Sequence, residues 1–242
     1  MPAVSSASTD TERFSGFPDA AVQFLLELQA EQSRAWFKAH QSEFDTLCRR
    51  PLELFVLELR ARLEKDYPGA GEVEPHFFRI QRDTRFARDK SPYKTNVAAE
   101  LPLRPYAPGE EEHSVPGVYV SFGLDGEFLG VGCWHMQPEA LARMRSAIAD
   151  DKTGPALHKD LDRLLKKGWT VESIEMLKRV PAPYPQDHPR AELLKRKGLA
   201  LSAHPAEGLA ASREFVNWSA QRLREAKPVV LWLDRLVRPK NS

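Results

Sequence analysis

The stretch RIQRDTRFARDKSPYKTN, residues 79–96, gathers six cations, Arg79, Arg82, Arg85, Arg88, Lys90 and Lys94, with only Asp83 and Asp89 to oppose them. That leaves a local charge of +4 on a chain whose total is +1. Arginine presents a planar fork that matches phosphate or carboxylate, and lysine adds a mobile point charge. The interleaved Phe86 and Tyr93 offer rings on which a flat ligand stacks. This is the chemistry of an anion site. The same composition also suits a lattice of ion pairs, with Asp83, Asp89 and Glu100 neutralising the cations and tying the segment to the rest of the fold.

The segment reads as a strand with a period of two. Phe78, Ile80, Thr84 and Phe86 then share one face with Arg82, while Arg79, Gln81, Asp83 and Arg85 take the other. An unpaired buried guanidinium costs several kcal/mol, so Arg82 must meet a carboxylate, leave the face through a bulge, or await an anionic ligand.

A second candidate surface lies in GVYVSFGLDGEFLGVGCWH. Its Asp125-Gly126 pair predicts a two-residue hairpin turn, so that Gly117 faces Trp134 and Tyr119 faces Gly132. Val118, Val120 and Phe122 then form an apolar face with Cys133, Val131 and Leu129. The opposite face carries Gly117, Tyr119, Ser121, Gly123, Phe128, Gly130, Gly132 and Trp134, a glycine floor edged by aromatics. Glycine in a strand often marks the close approach of another backbone or a ligand, so either a tightly packed helix or a ligand is expected to cover this floor.

The elements that position these surfaces follow from periodicity. FPDAAVQFLLELQAEQSRAWFKAH opens with Pro18 and Asp19 at a helix start and continues into a short second helix with Trp36 and Phe37. EFDTLCRRPLELFVLELRARLEKDYPGAG is helical with a break or kink near Pro51. EPHFFRIQRDTRF, NVAAELPLR and the hairpin alternate as strands, and PYAPGEEEHSVPG between the second and third reads as a solvated acidic loop. Helices return in QPEALARMRSAIADD, GPALHKDLDRLLKKG and two runs from Glu207 to Ala226 and Pro228 to Val237. The proline-rich stretch before KRKG is either a lid or a surface connection. The expected fold is α+β: a largely antiparallel central sheet with a DG-turn hairpin, flanked by N-terminal and C-terminal helices. Residues 1–16 are expected to form a disordered tail and residues 17–238 a single domain.

At 242 residues, with 35 Lys plus Arg against 34 Asp plus Glu, the chain has no global charge bias toward nucleic acid or anionic membrane. Two cysteines, Cys48 and Cys133, are too few for a disulfide scaffold and suit a reducing cytoplasm. No stretch approaches a membrane span, and the N-terminus lacks the apolar core of a secretory signal. The seven histidines are dispersed, and His158 and Asp160 stand two apart on a helix, so no metal site and no cofactor is expected. Phosphate-loop and dinucleotide glycine patterns are absent. Ser121 would need His135 or His76 as a base to serve as a nucleophile.

The segments FPDAAVQFLLELQAEQSRAWFKAH, FRIQRDTRFARDKSPYKTN, GVYVSFGLDGEFLGVGCWHMQPEALARMRSAI and DHPRAELLKRKGLAL resemble, in that order, those of a bacterial and fungal family known as domain of unknown function 2461. The resemblance spans residues 17–237, with RDTRFARDKSPYK its most specific part. It implies a single domain and supplies no functional residue. Where such sequences often carry two asparagines before RxWF, this chain has Glu31 and Gln32.

The leading expectation is a cleft that binds a phosphorylated or carboxylated small molecule. Arg79, Arg82, Arg85, Arg88, Lys90 and Lys94 would line it against Tyr93, Tyr119, Ser121 and Trp134, with the reaction unspecified. Nucleic-acid contact through the same patch ranks below it because the total charge is near neutral. A noncatalytic interaction module held by a charge lattice is the third reading. The sequence carries no signal for oligomeric state.

Overall fold

The computed structural model describes residues 12–239, apart from residues 86, 87, 109 and 112. Phe86, one of the two expected stacking rings, therefore lies outside the described residues. Six strands form one antiparallel sheet: β1 (His76–Phe77), β2 (Asn96–Pro102), β3 (Gly117–Gly123), β4 (Phe128–Cys133), β5 (Thr170–Glu172) and β6 (Leu199–Ala203). Their order across the sheet is β1-β2-β3-β4-β6-β5. Helices α1 (Asp19–Ala30), α2 (Arg34–Ala39), α3 (Gln41–Phe44) and α4 (Arg50–Leu63) precede it. Helices α5 (Pro138–Ala149), α6 (Gly154–Leu165), α7 (Ala191–Leu194) and α8 (Glu214–Val237) follow β4. The fold is α+β, as the change of period along the chain predicts. Among the described residues, no helix is long and apolar enough to cross a membrane.

The apolar face of the hairpin is buried: Val118, Val120, Phe122, Leu129, Val131 and Cys133 all belong to the core, with α8 packed on β4 and α4 on the neighbouring β2. The break expected near Pro51 is a single π-helical turn, Asp45–Arg49. It delivers Pro51 into the first turn of α4, where a missing N–H breaks no hydrogen bond. Cys48 sits in that turn and Cys133 in β4, both as buried free thiols. Burial pushes the Cys48 thiol up to about 12.

Three expectations are corrected. The last two helical runs are one helix with Pro228 inside it, and it begins at Glu214. Phe215, Ser219, Leu223, Ala226, Val230, Leu233 and Val237 form one buried stripe on both sides of the proline. Each large buried side chain is worth about 1.5–3 kcal/mol, against about 3 kcal/mol for an interior proline, so packing prevails. Of the tail expected over residues 1–16, residues 1–11 lie outside the described residues and Phe14 is buried, edge-on to Phe17 and Phe55, with its N–H donating to Glu58 at 2.7 Å.

The third correction is the hairpin register. Tyr119 faces Gly130 and Gly117 faces Gly132, two residues from the expected partners. The turn is centred on Leu124 and Asp125, closed by Gly126 N–H to Gly123 O at 3.0 Å, and Gly126 takes the positive φ of +95° just after it. A shift of two preserves the parity of every side chain, so the apolar face and the glycine floor remain as expected. A Cβ at Gly126 would meet open space, so the cost of filling it is conformational alone. Gly126→Ala is expected to cost about 1 kcal/mol in urea unfolding. Asp125→Ala, at ordinary φ, should cost less than about 0.5 kcal/mol; a larger loss there would point to a turn centred on Asp125-Gly126.

Candidate functional site

The floor face of the sheet is read directly from the pairing. His76, Glu100, Tyr119, Gly130, Ser202 and Thr170 stand in one row across all six strands. What covers the centre of this row is the chain's own indole. A Cβ on Gly130 would lie 2.5 Å from Trp134 Cζ2 and 2.9 Å from Phe128 Cε1. Glycine is required here because Trp134 folds back across the strand that leads to it. Glu100 rests in the same way against Gly117, whose Cβ would come within 3.0 Å of the carboxylate.

Above the floor lies a cavity of about 450 Å³. Its walls are Phe78, Tyr119, Phe128 and Trp134, set edge-on or tilted to one another at centroid distances of 5.8–6.3 Å. Glu100, His113 and His135 supply its polar groups, and Ile174, 71% exposed, stands at its edge. Asn96 donates to the Ser121 hydroxyl at 2.8 Å. Burial raises the Tyr119 phenol above the usual tyrosine range, with the Glu100 charge adding to the effect against opposing bonds to Ser121 and Asn96. It stays a protonated donor at neutral pH. Trp134 Nε1 is buried and has no hydrogen-bond partner among the described residues.

His113 comes from the acidic loop between β2 and β3, which sequence reasoning treated as solvated. The loop is instead folded by specific bonds. Arg104 at its start is buried, paired with Glu110 through both carboxylate oxygens and with Asp234 of α8. Leu103 N–H donates to Pro116 O at 2.9 Å and closes the neck of the loop. Glu111 bonds to Gln137. These bonds bring His113 over β2, where Nδ1 bonds to Glu100 Oε2. Spacing carried no signal for this pair, because an acidic loop and a strand carboxylate are each unremarkable alone.

The structure divides the expected site. Tyr119, Ser121 and Trp134 share the floor, with the two rings in the cavity wall. Arg79 and Lys94 line the adjoining groove with His76 and Phe78, and Lys94 Nζ stands 5.7 Å from the centroid of Phe78. Arg82 meets Asp89 at 3.3 Å and the Tyr93 carbonyl at 3.4 Å, so it found its carboxylate, although its Nε is buried without a partner. Arg85 pairs with Asp83 at 2.7 Å, Lys90 donates to Thr84 O at 2.9 Å, and Arg88 is exposed. Tyr93, expected as a stacking platform, is a core ring: it is buried and stacked on Phe37 at 4.5 Å. Ser121 is bonded to an amide rather than to a histidine. Of the expected strand EPHFFRIQRDTRF only His76 and Phe77 form regular strand, yet Ile80 is buried and Arg79, Gln81, Asp83 and Arg85 are exposed, so the alternation holds. No cluster of three metal-ligating side chains occurs among the described residues.

Residues 20–232 match the family model described as conserved hypothetical protein (DUF2461). The chain belongs to that family. No curated protein and no solved structure matches it. In this DUF2461 member Gln32, which stands before the RxWF motif, anchors the basic turn to the end of α1 by accepting the Tyr93 N–H on its side-chain oxygen at 3.0 Å.

The Trp134–Gly130 contact yields a double-mutant prediction. Gly130→Ala should cost about 1–3 kcal/mol by displacing the indole. Most of that cost should vanish in a Trp134→Ala background, measured as the coupling energy in denaturant unfolding. Additive effects would mean that the indole does not rest on this glycine.

Proposed function

We propose that this protein binds a small organic molecule that joins a flat ring to an acidic group. The ring enters the aromatic cavity and the acid meets Lys94 and Arg79 in the adjoining groove. The observation that carries this reading is Phe78, whose ring forms part of the cavity wall and also lies beneath the Lys94 ammonium. Aromatic walls with a few convergent polar groups are the usual make-up of a small-molecule site.

Electrostatics favours an acid at this rim. Burial pushes Lys94 below the ordinary lysine range, and the charges of Arg79 and Arg82 push it the same way. Neither Lys94 nor Arg79 has a carboxylate at ion-pair distance among the described residues, since Asp83 is engaged by Arg85 and Asp89 by Arg82. A bound anion would supply the missing charge. The outer cations Arg85 and Lys90 have local partners and stand apart from the cavity.

Benzoate and phenyl phosphate should therefore raise the melting temperature, whereas benzyl alcohol and inorganic phosphate, each half of the ligand, should do much less. Lys94→Met and Trp134→Ala should each weaken benzoate by about tenfold to a hundredfold in calorimetry. Benzoate stays ionised above neutral pH, so its affinity should fall as Lys94 loses its proton. Because the folded lysine titrates below its ordinary value of 10.5, that loss comes at lower pH than for a free lysine. Tight, salt-dependent binding of a single-stranded oligonucleotide, unaffected by Trp134→Ala, would instead assign the function to the exposed Arg85, Arg88 and Lys90.

A further inference from the structure

His113 and Glu100 are arranged for more than lining a wall. The Glu100 side chain is 8% exposed and its Oε2 is bonded to His113 Nδ1. An ionised carboxylate only accepts hydrogen bonds, so Nδ1 carries the hydrogen and neutral His113 presents its lone pair at Nε2. Nε2 has no partner among the described residues, and the residue lines the cavity. A carboxylate on one imidazole nitrogen with the other left free is the arrangement that prepares a histidine to accept a proton and stabilises the imidazolium that results.

The placement of His113 is also over-determined. Its backbone has φ +64°, the one positive value outside glycine among the described residues. Its N–H donates to the Tyr106 hydroxyl at 3.1 Å, and its ring lies edge-on to His76 at 5.3 Å and parallel to Phe78 at 6.2 Å. Backbone held off its preferred region costs of order 1–3 kcal/mol and persists where surroundings enforce it, which is common at functional sites. Phe78 is again the shared element, flanked by His113 and by Lys94.

Resting on the ring-and-acid reading above, we propose that the ligand is a hydroxyaryl acid. Its hydroxyl gives its proton to His113 Nε2, with Glu100 as the positioning residue. The O–H bond breaks and an N–H bond forms. The oxygen keeps the electron pair as a phenolate, and the imidazolium charge is balanced by the Glu100 carboxylate. No other reactant is needed, and the proton returns when the ligand leaves. The result is a bound phenolate, activated for attack through its oxygen or ring carbons.

The test uses 4-hydroxy-3-nitrobenzoate, whose phenolate is coloured, with benzoate as the ring-and-acid control. Bound to the native protein, its apparent ionisation constant should rise by about tenfold or more relative to free solution. His113→Gln should abolish that shift and Glu100→Gln should reduce it, read at saturating nitrophenol in variants whose cooperative melting transition shows them folded. Nitrogen NMR of His113 should show hydrogen on Nδ1 in the ligand-free protein and a second hydrogen, on Nε2, when the nitrophenol is bound. The titratable groups that touch His113 or line the cavity with it are Glu100, His76, Tyr106, Tyr119 and His135. Benzoate binding with an unchanged ionisation of the nitrophenol, or hydrogen on Nε2 in the ligand-free protein, overturns the proton-acceptor assignment and leaves the cavity reading intact. Failure of benzoate itself to bind overturns the cavity reading.

Discussion

The interaction on which the site depends most is the buried guanidinium of Arg104. It sits just beyond the end of β2 with 8% of its side chain exposed, between Glu110 in the following loop and Asp234 on α8. Burial alone would lower its pKa, and the two carboxylates outweigh that and hold it above the usual arginine value. Removing one partner of such a buried pair typically costs about 3–5 kcal/mol, because the remaining charge is left dry and unpaired. Arg104 thus ties the end of β2 and the acidic loop that follows it to the last helix, 130 positions away. Glu110 is opposed by burial but held below the ordinary carboxylate range by Arg104 and the Ala107 N–H. Its contribution is therefore complete at neutral pH and is lost as pH falls through its depressed pKa. That clamp acts with the Leu103–Pro116, Glu111–Gln137 and His113–Tyr106 bonds to hold the loop that carries His113 over Glu100.

The sheet gives this loop its counterpart by being unequal on its two faces. One face is β-branched and aliphatic and is covered by α4 and α8, where burial of apolar surface supplies the main driving force. On the other face, glycine leaves room for side chains of the same sheet to lie down. Trp134 occupies the space over Gly130, and Glu100 that over Gly117. The aromatic walls consequently stand on a floor too shallow for a helix, and the cavity between them follows from residue size.

Strand parity was legible in the sequence, and with it the floor, the apolar face and the exposed side of the basic segment. Parity survived even a wrong register, because moving the turn by one residue, from Asp125-Gly126 to Leu124-Asp125, shifts the pairing by two and turns no side chain over. The helices were legible too, except where one local rule was read without its competitor. Pro228 signals a break, and the buried stripe from Phe215 to Val237 overrides it. Half of the candidate site was illegible for a different reason. The Glu100–His113 bond and the Arg104–Asp234 bond join residues 13 and 130 positions apart. Composition describes the loop between them only as acidic and proline-rich. Tyr93 shows the same limit from the other side: its place beside lysines suggested a ligand platform, whereas Phe37 and Gln32, brought from α2 and the end of α1, draw its ring inward and hold its backbone.

A near-neutral chain with 35 basic residues must place most of them against acids or helix ends, and the placements indicate which remain available. Arg143 donates to Leu236 O at 2.7 Å at the end of α8, and Arg145 to Leu194 O at 3.0 Å at the end of α7. Arg190 donates to Ile148 O at 2.6 Å at the end of α5. Each meets carbonyls that the helix leaves unpaired, where a cation is also favoured by the helix dipole. Arg222 lies over Trp169 and Trp218 and pairs with Glu225, while Arg224 and Lys227 share Asp66. Arg82 and Arg85 take the two aspartates of the basic turn. Lys94, partly desolvated, stands beside the exposed Arg79 in the groove next to the aromatic cavity, with Asp83 also in its lining. Asp83 offsets part of the charge on Arg79, and Lys94, with no carboxylate at ion-pair distance among the described residues, is left with the repulsion of Arg79 and Arg82.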